Sequence, residues 1–330
     1  MRSVNIKEGT MEKSLSAKKV WGVLSKQKAL LAIVLFYIVM PFLSPFFLTG
    51  TNQSALLLQV TILLIMGVCV TFAIISGDCD LSLGANMCLS GIVAILLQKY
   101  LPFELILPAV LLVGLLIGAV NAFIIVNQGA NAFIMTLGMM FLLRGIALVL
   151  TDGQPISGNS QKFVNFGNGK LLGINYITWL AIALFFIGWW VMRNTAFGRN
   201  CYAVGGNKSV AEYAGINVKR HKWIAFIVSA MGAALAGYCF SAELNSGSAV
   251  YGEMTALLIN CGVVVGGTPF NGGRGGMVQS LIGLFLFGLL ENSMNLLNIS
   301  SYTQQLVRGL VIVAVIAMDL YAAKKRRLDV

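Results

Sequence analysis

Apolar residues in this chain come in long runs. About 20 such residues in a row is what a helix needs to cross the hydrocarbon core of a bilayer. Ten runs are candidates, near residues 30–49, 55–75, 81–97, 104–126, 132–150, 174–192, 223–242, 254–267, 277–297 and 303–321. The third has polar residues at both ends, and the eighth is short and runs into a Gly-rich stretch. Backbone broken at membrane depth must be buried in protein or line a watery cavity. These two segments therefore read either as half-helices beside a pathway or as ordinary helices with soft ends. Composition points the same way: 58% of residues are apolar and 11% charged, against roughly 25% charged in a soluble domain. The expected fold class is all-α, a polytopic membrane protein of about ten transmembrane helices.

Basic residues set the expected orientation, because cytoplasmic loops carry the excess of Lys and Arg. With the N-terminus inside and ten crossings, eighteen of the 23 basic residues fall on inside segments and three, Lys99, Lys162 and Lys170, on outside ones. Both termini are thus expected in the cytoplasm. The net charge of +11 needs no nucleic acid, since anionic membrane lipid accounts for it. The first apolar run is too long for a typical signal core and no small-residue cleavage site follows, so no cleaved leader is expected.

The chain divides into a basic cytoplasmic tail at 1–28, a membrane domain at 29–322 and a second basic tail at 323–330. Residues 193–222 form the one sizeable internal cytoplasmic segment, and residues 151–173 a polar outer loop rich in Gly, Asn, Ser and Gln. Leu142-Leu143-Arg144-Gly145-Ile146 in the fifth run echoes Leu306-Val307-Arg308-Gly309-Leu310 in the tenth, which raises the prospect of an inverted five-helix repeat. Gly114 with Gly118 and Gly262 with Gly266 have the small-xxx-small spacing of close helix contacts in lipid.

Enzyme chemistry has little to work with. There is one His and no H-E-x-x-H pair. The stretch Gly205-Gly206-Asn207-Lys208-Ser209 lacks the spacing of a nucleotide-binding P-loop. No ATP hydrolysis is expected of the chain itself, and no cofactor or metal. His221 reads as a solvated neighbour of basic residues in a cytoplasmic loop. The six cysteines show no metal spacing and read as small packing residues. Arg144 and Arg308 lie within snorkelling reach of the outer face. The acidic residues fall near helix ends, so no buried proton relay is evident, and energy would come from a partner.

That partner's docking point is expected in the cytoplasmic segment. Asn207 is a good N-cap and Gly215 a good C′ residue, which predicts a helix over 208–214. A helix this short is not stable alone. Ala211 and Ala214 are small enough for a partner to approach the backbone, and Val210 and Tyr213 offer apolar contact.

The same segment resembles the coupling motif of the permeases of ribose-type sugar ABC importers, G-R-x-x-x-A-x-G-x-N-x-x-A-A-x-x-x-G-I. It is present as Gly198-Arg199, Ala203, Gly205, Asn207, Ala211 and Gly215-Ile216, with Val210 where the first paired alanine is usual. Ser76-Gly77-Asp78-Cys79-Asp80-Leu81-Ser82-Leu83-Gly84 resembles S-G-G-I-D-L-S-V-G. Ala132-Phe133-Ile134-Met135-Thr136-Leu137-Gly138, followed by Leu143-Arg144-Gly145, resembles A-F-I-x-T-L-G…x-R-G. Gly266-Gly267-Thr268-Pro269-Phe270-Asn271-Gly272-Gly273-Arg274-Gly275 resembles G-G-T-S-L-x-G-G-x-G. Asp78 and Cys79 stand where Gly and Ile are usual, Ala256 and Leu258 where the acids of an E-L-D-A stretch fall, and Asn260-Cys261 where small apolar residues are usual.

The resemblance implies about ten helices, permeases working in pairs (a second copy of this chain as homodimer), an ABC ATPase subunit on the cytoplasmic side, and an extracytoplasmic solute-binding protein that delivers a monosaccharide. It places the protein in a bacterial inner membrane. Gly205, Gly206, Asn207, Ala211 and Gly215 are expected to couple to the ATPase, the 151–173 loop to meet the binding protein, and Asp80, Ser82, Asn86 and Asn260 to line the substrate pathway. Asn86 reads equally as an interhelical hydrogen-bond partner. A self-sufficient secondary carrier or channel, or a scaffold without transport, is the alternative class.

Overall fold

The computed structural model describes residues 28–328, with side chains for 29–317. The expected tail at 1–28 lies outside the described residues apart from its last backbone position, as do the side chains of the 323–330 tail. The described residues form thirteen helices. The first five are α1 (Lys28–Leu43), α2 (Gly50–Ile75), α3 (Leu83–Leu97), α4 (Phe103–Ala122, continued by a π turn at Phe123–Asn127) and α5 (Ala132–Thr151). The short α6 (Gln161–Asn168) follows, then α7 (Tyr176–Asn194), α8 (Ala196–Gly206), α9 (Lys208–Tyr213) and α10 (Val218–Leu244). The chain ends with α11 (Thr255–Gly266), α12 (Met277–Leu296) and α13 (Ser301–Leu328). Two short antiparallel ladders join β1 (Ile156–Ser157) to β4 (Ser246–Gly247) and β2 (Lys170–Leu171) to β3 (Ile174–Asn175).

Each of the ten expected segments is helical. Among the described residues, six helices are long and apolar enough to cross a membrane: α2, α4 with its π turn, α5, α7, α10 and α12. Four apolar helices are shorter: α1, α3, α11 and the stretch of α13 up to Ala317. The protein is therefore an all-α, polytopic membrane protein. The first segment stops at Leu43 rather than 49 because Pro45 follows, and the residue before a proline is driven out of helical geometry. The third begins at Leu83, after a non-helical stretch from 76 to 82. The eighth has 12 residues and ends where Gly267 adopts φ +122°.

Burial separates the centre from the rim. The most apolar window of α2 is 89% buried inside the protein and that of α10 67%, against 22% for α5 and 28% for α7. So α2 and α10 form the core, and α5 and α7 offer most of their apolar surface outward. Close packing uses glycine where expected. A Cβ on Gly118 would lie 2.8 Å from the Ile227 Cα, and one on Gly266 1.9 Å from the Gln279 carbonyl oxygen. Helix pairs α4–α10 and α11–α12 thus meet backbone to backbone, which is how helices gain contact when lipid supplies no hydrophobic drive.

The loops collect at two ends. At one end, Gly273 N donates to Ile75 O (2.8 Å), and Tyr202 Oη donates to Gly275 O (2.9 Å). At the other, Gly158 N donates to Asn245 O (3.0 Å), and the backbone N–H groups of Asn159 and Ser160 donate to Gln98 Oε1 (2.9 Å each). The first end holds the segments expected inside, and the second those expected outside.

Candidate functional site

The non-helical stretch after α2 is tied by hydrogen bonds from several helices. Gly77 at φ +85° turns the chain off α2, and the residues that follow are anchored from four helices. Asp80, fully buried, accepts from Ser82 N (2.9 Å) and Ser82 Oγ (2.6 Å) through Oδ1 and from Ser229 Oγ of α10 (2.8 Å) through Oδ2. Leu81 N donates to Thr136 Oγ1 of α5 (3.1 Å). Asn121 Nδ2 of α4 donates to Ser82 Oγ (3.1 Å). Asn260 Nδ2 of α11 donates to Asp80 O (2.9 Å) and to Ala256 O (2.8 Å). Polar groups taken out of water need partners of this kind, since each one left bare costs about 1–3 kcal/mol. Two side-chain acceptors here, Asn121 Oδ1 and Asn260 Oδ1, have no partner among the described residues.

Three of the four expected pathway residues, Asp80, Ser82 and Asn260, thus meet in one knot. Asn86 does not join it. Its Nδ2 donates to Ala230 O of α10 (2.9 Å), and its Oδ1 accepts from Ser90 Oγ (3.0 Å), the interhelical role that was the alternative. Ser229, Asn121 and Thr136 were missed. Each is a polar residue set within an apolar stretch of its helix, and that was the available signal.

A cavity of about 320 Å³ opens at the end that holds Asn245, lined by Gln59, Phe240, Glu243, Thr255 and Glu291 among others. A second, of about 400 Å³, opens at the end that holds Gly77, lined by Asp78, Cys79, Asn131, Phe133, Asn260 and Phe270 among others. Between them α3 and the turn before α11 touch: a Cβ on Gly84 would lie 2.2 Å from Gly252 O. Of the four expected pathway residues, Asn260 lines the second of these two cavities, and Asp80, Ser82 and Asn86 line neither.

Around the second cavity, Lys222 Nζ pairs with Asp78 (2.8 Å). Burial raises the Asp78 carboxyl above its ordinary value, and the ammonium opposes the rise. His221 corrects its expectation. It is buried, its Nε2 lies 3.1 Å from Ser76 Oγ, and its ring stacks at 4.7 Å on Phe197. The physical reason is that α10 begins at Val218, which puts His221 on the inward face of the first turn rather than in a loop. Arg144 and Arg308 also do more than snorkel. Arg144 Nη1 donates to the carbonyls of Ala249 and Tyr251 in the turn before α11, and Arg308 pairs with Glu291 (2.8 Å).

The short helix α9 forms as its sequence predicts. Asn207 Oδ1 accepts from Val210 N (3.1 Å). Gly215 at φ +82° closes the helix, with Gly215 N donating to Glu212 O and Ile216 N to Ala211 O (3.0 Å each), the paired bonds of a Schellman cap. Tyr213 is 93% exposed and Val210 60%, whereas Ala211 is 3% exposed. The expectation that a partner approaches the backbone at Ala211 is corrected: that residue packs with Val204 and Val218 of its own chain. Gly205 is also internal, since a Cβ there would lie 1.8 Å from Ile75 O and 2.5 Å from Gly273 N. Gly206, Asn207 and Gly215 are exposed.

In the 151–173 loop, α6 lays Phe163 on the core, its ring 5.2 Å from that of Tyr238, and Lys162 pairs with Glu104 (2.9 Å).

Comparison with known proteins follows this geometry. The ribose import permease protein of Haemophilus influenzae is 36% identical over 321 residues, covering 96% of this chain and 99% of the relative. The D-allose transport system permease protein of Escherichia coli is 35% identical over 285 residues (86% and 87%). The L-arabinose transport system permease protein of Escherichia coli is 31% identical over 327 residues (97% of each). No solved structure matches. The family described as branched-chain amino acid transport system / permease component matches residues 52–316, a stretch that holds the knot, both cavities and the capped helix, and the chain belongs to that family.

Proposed function

We propose that the chain is the membrane-spanning permease subunit of an ATP-driven, binding-protein-dependent importer of a monosaccharide, in a bacterial inner membrane. The observation that carries this is the near end-to-end match to three permeases named for ribose, allose and arabinose. An ABC ATPase subunit hydrolyses the ATP, and an extracytoplasmic solute-binding protein hands over the sugar.

Finer points rest on the geometry. Ten crossings put both termini in the cytoplasm, with α9 inside and α6 outside. That assignment is supported by the way the basic segments gather at one end. Two inverted sets of five helices are supported by the two short helices α3 and α11, each preceded by a non-helical stretch. Residues 205–215 couple to the ATPase, with Val210 and Tyr213 as the exposed contacts and Gly205 and Ala211 seating the segment on its own chain. Two copies of this chain form the permease pair. The sugar passes from the Glu243 cavity to the Asp78 cavity, and the knot of Asp80, Ser82 and Asn260, with Asn86 beside it, holds the partition that must open.

The test is reconstitution. Proteoliposomes with this chain, its ATPase and its binding protein should take up ribose, allose or arabinose only when ATP is present. Uptake by the chain alone down an ion gradient would instead establish a secondary carrier.

A further inference from the structure

A third cavity, of about 360 Å³, lies at the end of the bundle that holds Tyr202 and Gly275, and it shares no lining residue with the two described above. Trp189 and Arg193 of α7, Arg199 of α8 and the first residues of α12, Met277 and Val278, are in its wall. Its charged groups are two guanidiniums, and no carboxylate lines it. Among the described residues, neither Arg193 nor Arg199 pairs with an acid. Two like charges in one cavity repel, and an anion between them turns that repulsion into attraction. Gly276 gives α12 no side-chain cap, so the backbone N–H groups of its first turn add partial positive charge to the same wall.

Position decides which anion fits. Helix α7 is long and apolar enough to cross a membrane, and its most apolar window is only 28% buried, so most of its apolar surface faces lipid. Arg193 sits in its last turn. The Arg193 guanidinium lies 5.4 Å from the centre of the Trp189 ring, within the range of a cation–π contact, and a Trp near the end of a spanning helix belongs at the level of the lipid headgroups. Phe186, Trp189 and Arg193 are three and four residues apart and so share one face of α7. Phe186 and Trp190 are exposed. A basic cavity thus opens at headgroup depth, with an aromatic, apolar face running from it along the helix. A free phosphate would use the first feature and leave the second idle.

We propose that this cavity binds the phosphate of one anionic phospholipid, held between Arg193 and Arg199, with an acyl chain along the face of α7 that carries Phe186 and Trp190. Because α7, α8 and α12 all contribute to the wall, the lipid ties the α8 segment to the bundle. The site stands whether or not the chain imports a sugar.

The full chain, purified in detergent, is titrated with phosphatidylglycerol, phosphatidylcholine or inorganic phosphate, and bound molecules are counted by native mass spectrometry. Wild type should bind phosphatidylglycerol about tenfold or more tighter than phosphatidylcholine, as two basic contacts near a membrane surface imply. Arg193→Gln with Arg199→Gln should lose that preference. Both positions are exposed, so the variant should fold with an unchanged thermal midpoint in the absence of added lipid. Arg193→Lys with Arg199→Lys keeps the charge and should keep most of the preference. Lys219→Gln with Arg220→Gln removes the same charge at exposed positions outside the cavity and should also keep it. Equal losses in the two glutamine variants, equal binding of the two lipids, or displacement of phosphatidylglycerol by millimolar inorganic phosphate overturns the proposal. So does release of the bound lipid when the ATPase subunit is added, since the face would then belong to that subunit.

Discussion

The stretch from 76 to 82 and the stretch from 207 to 215 are both short, both sit at the same end of the bundle and both carry recognisable motifs, yet they are held in opposite ways. The first is fixed largely from a distance: beyond its own Ser82–Asp80 bonds, Ser229, Asn121, Thr136 and Asn260, on four different helices, hydrogen-bond to it. The second is fixed by its own ends, Asn207 at the start and Gly215 at the close, and it leaves Tyr213 almost wholly exposed. A segment tied by distant partners cannot move without moving the bundle. A segment tied by its own caps keeps its shape while it docks, because its order does not depend on the surface it meets.

Substitutions break or sharpen this contrast, the largest effect first. Asp80→Ala removes the acceptor of three donors. It should cost about 3 kcal/mol or more, since each stranded buried donor costs about 1–3 kcal/mol, read as a large drop in the thermal midpoint in detergent. An unchanged midpoint would mean the knot does not hold the bundle. Gly205→Val forces a side chain against Ile75 O and Gly273 N. It should cost about 1–3 kcal/mol by overpacking and reduce ATPase capture in pull-downs. Asn207→Ala loses the cap of α9, about 1 kcal/mol. Here ATPase association should fall while the thermal midpoint of the bundle stays put, which separates the self-capped segment from the knot. Tyr213→Ala should change stability by less than about 0.5 kcal/mol, as exposed substitutions do, and still weaken ATPase capture. If capture is untouched, the coupling surface lies elsewhere on the segment.

What sequence reading could reach follows from the same contrast. The caps of α9 were legible because a cap involves residues three or four apart. The helices were legible because apolar runs name themselves, and most boundaries fell within a few residues. The end of α1, the start of α2, the end of α13 and the start of α10 were further out, and the last had consequences for the site. Beginning that helix at 223 instead of 218 put His221 in a loop, and with it went the contacts to Ser76 and Phe197. The knot was half legible. Asp80, Ser82 and Asn260 stood out as polar residues in weak segments, but Ser229, Asn121 and Thr136 become partners only once their helices are placed in space. The direction of Ala211 was illegible for a similar reason: nothing in 208–214 says where Val204 and Val218 will lie.

Gly205 leaves no side chain between the end of α8 and the carbonyl of Ile75. Ordinary contacts between elements are cushioned by rotamers that swing to absorb a small push. Here two main chains abut, and there is nothing soft between them to take up slack. A shift of the capped helix by a fraction of an ångström would arrive undiminished at the end of α2, one residue before the turn that leads to Asp80.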